Sequence, residues 1–480
     1  MRFWSIVFFI LLIASTGYTQ NTWVKFFGGA KVDEGLDIKQ CSDGGYIIVG
    51  GTSSFGKGLS DVYLIKTSSV GDTLWTRAYG GNGSDVGTCV QQTTDGGYIV
   101  TGFTQSYGDS SGDVYLLKID SKGDTLWTRT FGGDRYDIGF SICPTTDNGY
   151  IIVGFTNSYG DGIGNAYIIK TDSIGDVVWT KMLEGLIAYS ISQTSDGNYI
   201  VTCSGDGDIH VYKIDSSGNT IWRRIYGTNE SYDVGKYIRQ TADGGYIITG
   251  STQLLESEQY VYLIRTTSSG DTIWTKRIGP EGGYSCGNSV QQTDDGGYII
   301  TGFSSPSYYL DSFYIYLVKT NTSGDILWTK MFGGYNREDK GNSVQQTNDG
   351  GFVITGMMGN DVFFIKTDYS GNITGINEDE KINRSNPESL CLFQNYPNPF
   401  NQFTTISYEL SRENQEIQLI IYDLRGKEIY KLIQKNQSKG IYNVIWDGKD
   451  QKGNEVSSGI YFCRLKTENI NKYIKLVLIK

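Results

Sequence analysis

The sequence predicts an all-β chain: a seven-bladed β-propeller closed by an N-terminal strand, followed by an immunoglobulin-like β-sandwich. Three observations carry this reading. The phrase Asp-Gly-Gly-Tyr recurs with small changes at Asp43, Asp95, Asp147, Asp196, Asp243, Asp295 and Asp349, at intervals of 47 to 54 residues. Each interval holds four short strand signals separated by glycine turns. Glycine is abundant (63 residues), proline is scarce (6), and 35 Tyr and 20 Phe supply much of the apolar bulk, which suits many short strands and not helices.

One unit shows the layout. Residues 288–334 read "NSVQQTDDGGYIITGFSSPSYYLDSFYIYLVKTNTSGDILWTKMFGG". Its strands are "SVQQT", "GYIITG", "YIYLVKT" and "ILWTKMF", rich in β-branched and aromatic residues. "DDGG" and "NTSGD" are tight hairpin turns in which Gly takes the positive φ that side chains avoid. Four antiparallel strands per repeat describe a propeller blade.

The strand count then closes the ring. The first three strand types each occur seven times, but the Trp-bearing fourth occurs only at Trp75, Trp127, Trp179, Trp222, Trp274 and Trp328. After the seventh "DVFFIKTDYSGN" no Trp follows before the repeat ends, whereas Trp23–Phe27 stands alone at the other end of the chain. Borrowing that strand into blade seven removes an exposed sheet edge. The Trp strand is then outermost, the "SVQQT" strand lines the axis, and each Trp is a wedge between blades. A sugar-stacking role for these Trp residues is the sharper alternative.

Four regions follow: a signal peptide over 1–19, the propeller over 20–375, a charged polar linker over 376–388, and a C-terminal module over 389–480. Arg2 precedes the apolar run Phe3–Ile13 and small residues follow, the three-part layout of a cleaved secretion signal. No other stretch is long and apolar enough to span a bilayer, so no transmembrane segment is expected in the mature chain. Residues 388–480 carry 13 basic against 10 acidic residues, and the remainder 28 against 42. An acidic body argues against nucleic-acid binding, which needs a cationic surface. Seven cysteines without CxxC or zinc spacing read as small buried side chains.

The repeat "GYIVTGFT…DVYLLKID..GDTLWTRTFGG" resembles the bacterial β-propeller repeat of secreted proteins, and its layout is similar to kelch repeats. The C-terminal module, with "NYPNPFN" at 395–401, "IYDLRGKEI" at 421–429, "WDGKDQKGNEVSSGIYF" at 446–462 and the terminal "KLVLIK", resembles the type A sorting domain of the type IX secretion system. It is also similar to the Ig-like spacer of flagellar hook-capping proteins. The sorting resemblance implies export to the outer surface of a Gram-negative bacterium, with the secretion machinery and its sortase as partners. The cargo would be released or attached to lipopolysaccharide. The motif residues it singles out are Asn395, Pro397, Asn398, Pro399, Phe400, Trp446, Asp447, Gly448, Gly459 and Tyr461. The two prolines fix φ and remove donors, so 395–401 reads as an edge or lead-in that presents Asn395, Asn398 and Phe400. Cys463 departs from the pattern and leaves a pairing with Cys391 open.

Catalytic raw material is sparse. The one histidine, His210, lies inside a strand and reads as packed. There is no phosphate-binding loop or zinc motif. No cofactor is called for, although acidic loops at 106–113, 158–165 and 204–208 offer oxygen ligands of the kind calcium takes, without EF-hand spacing. No catalytic residue is assigned. Two classes of function remain: a non-catalytic module binding a glycan or protein, and a propeller-fold polysaccharide hydrolase or lyase using carboxylates. Scarce histidine and regular blades weigh toward the first, and a structural propeller without a ligand stays open. The connections between second and third strands, and between blades, vary most and lie at one end of the ring. They bring Tyr107, Tyr136, Tyr159, Tyr232, Tyr308, Tyr309 and Tyr335 there as candidate ligand contacts, since Tyr offers a flat apolar face with a polar tip.

Overall fold

The computed structural model describes residues 22–160, 164–228, 230–254, 258–305, 312–333, 337–373, 391–392, 395, 397–410, 413–467 and 471–480. The expected signal peptide and linker, and Tyr308, Tyr309 and Tyr335, lie outside these residues. Among the described residues there are strands and no helices.

Seven four-stranded antiparallel blades form a closed ring. Blade one comprises Asp33–Gln40, Tyr46–Thr52, Asp61–Thr67 and Thr73–Tyr79. Blade seven takes Lys340–Gln346, Phe352–Met358 and Asp361–Thr367 from the end of the ring, and Trp23–Phe27 completes it. The borrowed strand runs antiparallel to its neighbour, with Trp23 opposite Lys366 and Phe27 opposite Val362.

The repeated residues explain the geometry. Each outer-strand Trp packs toward the next blade: the Trp75–Tyr98, Trp127–Tyr150, Trp222–Tyr246 and Trp274–Tyr298 ring centroids lie 5.8–6.2 Å apart. Trp23 makes the same contact across the closure, 6.4 Å from Tyr46 of blade one. The glycine of each third turn sits over the preceding blade's Trp. A Cβ on Gly71 would stand 2.7 Å from Trp23, and one on Gly324 would stand 2.8 Å from Trp274. The wedge therefore demands both the Trp and the glycine.

A second device recurs in all seven blades. The Asp of each "DGGY" turn caps its own turn and accepts an ion pair from a cation on the third strand: Lys66, Lys118, Lys170, Lys213, Arg265, Lys319 or Lys366. Each of these cations is buried beneath the turn while its Asp faces solvent, and all but Arg265 are lysines. The Lys66 ammonium also donates to the Thr67 carbonyl at 3.0 Å. A lysine that reads as an exposed strand charge is thus part of the blade core.

The C-terminal module is a sandwich of two sheets. One holds Cys391–Leu392, Thr404–Leu410 and Gly440–Trp446; the other holds Gln415–Asp423, Glu428–Gln437, Gly459–Lys466 and Asn471–Leu478. Cys463 is a buried free thiol in its core, so the pairing with Cys391 does not form. The lead-in 397–400 makes isolated bridges, as two prolines require. Its side chains, however, turn inward and are not presented. Asn398 donates to the Lys475 carbonyl and accepts from the Val477 amide, clamping the last strand. Asn395 donates to Thr404, and Phe400 packs 5.5 Å from Trp446. Trp446 in turn meets Tyr461 edge-on at 5.3 Å. Gly448 follows with φ of 69°, while Asp447 pairs with Lys449 at the surface.

The module also touches the ring. The Thr76 amide, on the outer edge of blade one, donates to the Asn398 carbonyl at 3.1 Å. Thr76 is 1% exposed and Trp75 8% exposed, whereas Thr128, Thr180, Thr275 and Thr329, the counterparts of Thr76 in other blades, are open to solvent.

Candidate functional site in the central channel

The axial strands build the channel. In every blade the pairing of the first and second strands slips by one residue at the same place, leaving one residue unpaired. Such a bulge kinks the strand and re-aims a side chain. The seven bulge residues are Leu36, Thr88, Phe140, Tyr189, Lys236, Asn288 and Asn342, and all seven line one cavity of about 500 Å³. The residue before each is Gly, or Ala188 in blade four, because the preceding blade's second strand crowds it. A Cβ on Gly287 would stand 2.3 Å from the Thr249 hydroxyl.

Below this collar the next axial residues zip the blades together. The Ile238 amide donates to Ser190, the Val344 amide to Ser289, and the Gln40 amide to the Gln345 carboxamide across the ring closure. Asp37 anchors the same tier: Ser343 at 2.8 Å, Lys39 at 2.7 Å and the Ile38 amide at 2.9 Å donate to one oxygen. The Cys89 thiol and Val90 amide, both at 3.3 Å, donate to the other. Burial works to lower the Lys39 pKa, but Asp37, Tyr237 and Cys89 together outweigh that and raise it. Burial pushes the Cys89 thiol up to about 12, which makes it a poor nucleophile.

The collar is chemically lopsided. Phe140 and Tyr189 stack at 5.5 Å, and the Lys236 ammonium lies 4.1 Å from the Tyr189 ring centroid. Arg239 is held by the Tyr237 hydroxyl at 2.7 Å and 3.1 Å. Both residues also line a second space of about 290 Å³ toward the hairpin-turn end. Desolvation lowers the Lys236 pKa. Among the described residues, no carboxylate lies within ion-pair distance of Lys236 or Arg239. Thr88, Asn288 and Asn342, by contrast, donate to backbone carbonyls of the following blade.

The tyrosines expected at the variable end are placed as follows. Tyr136 is 40% exposed, packs 5.1 Å from Phe103, and lines the cavity with it. Tyr107 and Tyr159 are tied down: their hydroxyls donate to the Gly80 and Gly132 carbonyls, and their rings lie 5.7 Å and 5.6 Å from Tyr115 and Tyr167. Each keeps one side exposed. Tyr232 is 59% exposed. The collar itself is not among the residues the sequence points to. Its signal is the residue after the axial-strand Gly, or after Ala188 in blade four, which varies among Leu, Thr, Phe, Tyr, Lys and Asn.

His210 is buried, takes a hydrogen bond from Arg223 at 2.7 Å, and has its pKa lowered by burial and by that guanidinium. Among the described residues no three His, Cys, Asp or Glu side chains converge as a metal site. In the acidic loop at 106–113, Asp109 caps the Ser111 amide and Asp113 caps the Asp109 amide. The outer Trp rings are spent on the blade wedges.

Comparison with known proteins bears on both parts of the chain. Residues 399–470 match the FlgD Ig-like domain family. A 155-residue stretch is 30% identical to the regulatory protein FlaEY of Caulobacter vibrioides, and the chain spans 15% of that protein's length. The fold is similar to the structure of U3-55K, at 13% identity and a TM-score of 0.48 over 72% of this chain and 98% of that one. It is also similar to PorZ, a surface component of the type IX secretion system of Porphyromonas gingivalis, at 12% identity and a TM-score of 0.33 over 91% and 69%. A third similarity is to the extracellular domain of a putative hybrid two-component system of B. thetaiotaomicron, at 11% identity and a TM-score of 0.42 over 96% and 60%. By its own strand topology and the Ig-like match, the chain is an all-β propeller protein with a C-terminal Ig-like domain.

Proposed function

We propose that this is an exported, non-catalytic binding protein whose ring takes a glycan or protein ligand in the mouth of its channel. The observation that carries the reading is the bulge collar. Seven blades share one architecture, yet the bulge residues they bring to the cavity are of six kinds, and binding sites are concave, largely apolar and edged by a few polar groups. Tyr136 joins this cavity to the variable loops, where Tyr107, Tyr159 and Tyr232 stand. The motifs of the C-terminal module support type IX export and a place at the outer cell surface, with the secretion machinery and sortase as partners.

The test is a glycan, polysaccharide and surface-protein array probed with the secreted chain and with Phe140→Thr. Thr already occupies the collar position in blade two, so the variant keeps the fold. A ligand lost in the variant supports the reading. Binding indifferent to Phe140, or cleavage of the ligand in a product assay, overturns it.

A further inference from the structure

The collar's charge is uneven, and that unevenness points to a ligand class. We infer that the channel binds an acidic sugar, its carboxylate held between Lys236 and Arg239 and its ring laid against Phe140, which Tyr189 backs. This deepens the reading above and rests on it.

Charge is the first ground. The propeller side of the chain carries 42 acidic against 28 basic residues, yet Lys236 and Arg239 line this cavity and among the described residues no carboxylate lies within ion-pair distance of either; Asp37, which also lines it, acts on Arg239 from farther off. Lys39, in the tier below the collar, is already neutralised by Asp37 at 2.7 Å. Lys236, with no carboxylate beside it, faces a partly dry space at a cost that an arriving carboxylate offsets. Apolar walls such as Leu36, Val86 and Ile138 focus the field that draws it in. Desolvation already lowers the Lys236 pKa, the direction expected of a cation lacking its counter-ion.

The second ground is what the walls withhold. A peptide bound in a groove pairs with free backbone groups. Here the axial amides of Val90, Ile191, Ile238 and Val344 are all taken by side chains of the preceding blade. Recognition must therefore come from side chains, and those on offer are aromatic faces beside cations. A uronate matches both. Its carboxylate meets the cations, and its C–H face meets the Phe140 ring that Tyr189 holds in place.

The geometry also supplies clean variants. Lys236→Asn installs the residue that blades six and seven carry at the same bulge, and Tyr189→Thr the residue of blade two, so neither disturbs the ring. Lys122→Asn, in a turn at the opposite end, is the control. Calorimetry with a galacturonate trimer and a galactose trimer, at low and high salt, reads the result. The expected outcome is at least tenfold preference for the acidic trimer, a loss of about 10- to 100-fold in Lys236→Asn, weakening in Tyr189→Thr, and no change in Lys122→Asn. Salt should weaken the acidic trimer more than the neutral one. Equal binding of both trimers, or an unchanged Lys236→Asn, overturns the acidic class while leaving a channel ligand standing. Preference for a free-carboxylate peptide over the trimer overturns the sugar. Binding of the acidic trimer that neither collar variant alters overturns the channel site itself.

Discussion

Deleting residues 21–29 should open the ring, and the cost follows from what the borrowed strand buries and pairs with. Phe27 is 4% exposed, and removing a buried Phe costs about 3 kcal/mol. Trp23 is half-buried between Tyr46 and Phe364, so its removal is set at about 2 kcal/mol. The backbone ladder to Asp361–Thr367 adds net hydrogen bonds worth together about 3 kcal/mol. The sum, roughly 8 kcal/mol, is of the order of a whole domain's stability. Unfolding entropy of about 2.1 cal/mol/K per residue over a ring of about 350 residues gives roughly 11 °C off the melting temperature. Differential scanning calorimetry measures this, and small-angle scattering should show an expanded propeller. A synthetic peptide of residues 21–29 added in excess should restore most of the stability, because a strand that binds only the native ring stabilises it by mass action. As an internal comparison, Trp274→Ala removes an equivalent wedge inside a covalently continuous blade and should lower the melting temperature by about 3 °C. A deletion that melts within about 2 °C of the intact chain, or that the peptide cannot rescue, would refute closure by the borrowed strand.

Removing residues 389–480 should trap the propeller in the periplasm of a host with a type IX system, read by fractionation; normal appearance in the medium counts against the sorting role. The same truncation should speed hydrogen exchange at the Thr76 amide, which the Asn398 carbonyl protects, and leave Thr275 on the open edge of blade five unchanged. Stability should also follow pH in two opposite senses. Burial raises Asp61 to about 6, so its cost sets in as pH rises from about 4 through 6. Against desolvation, the largest single influence on each, hydrogen bonds from Lys118 and Thr93 together with the Gly97 amide hold Asp95 down to about 2, and those from Thr145 and Lys170 with the Gly149 amide do the same for Asp147. Their contribution is therefore present above about pH 4 and fades as pH falls toward 2. The melting temperature should peak between about pH 4 and 5, and Asp61→Asn, the residue blade three carries as Asn165, should lessen the decline above that range, to which Asp33, Glu34 and Asp113, also raised by burial, contribute.

The fold is legible because its commonest residues each have one geometric task. Trp and the third-turn Gly meet across every blade boundary, so both have to recur, and the missing seventh Trp names the strand that closes the ring. The turn cations are harder to read. Lys66 and its counterparts alternate along a strand as solvent-facing charges would, and only three dimensions show them folded under the preceding hairpin. The "NYPNPFN" segment discloses its backbone and conceals its side chains. Its prolines exclude a ladder, but nothing local says that Asn398 and Phe400 turn inward to hold the last strand. The collar is hidden for another reason. Period-two alternation assigns faces only while register holds, and a bulge breaks the register at the one position where a side chain leaves the sheet for the channel.

That same break explains how seven near-identical blades can carry a specific site. A residue paired on both sides of a sheet is constrained by its cross-strand partners, and one packed between blades is constrained by volume. The bulge residue lacks the cross-strand partner, and among the described residues only Thr88, Asn288 and Asn342 reach carbonyls of the next blade. Its partner position is skipped, as between Gly235 and Tyr237, and its side chain points at the axis. Leu, Thr, Phe, Tyr, Lys and Asn are therefore tolerated there without cost to the ring, while the glycine one residue earlier, pressed against the preceding blade, admits only Gly or Ala. Constraint and freedom sit on adjacent residues. A repeat protein built this way can change what it binds through seven side chains and leave the fold alone, and the adjoining Phe140, Tyr189 and Lys236 on three consecutive blades are where this chain has used that freedom most.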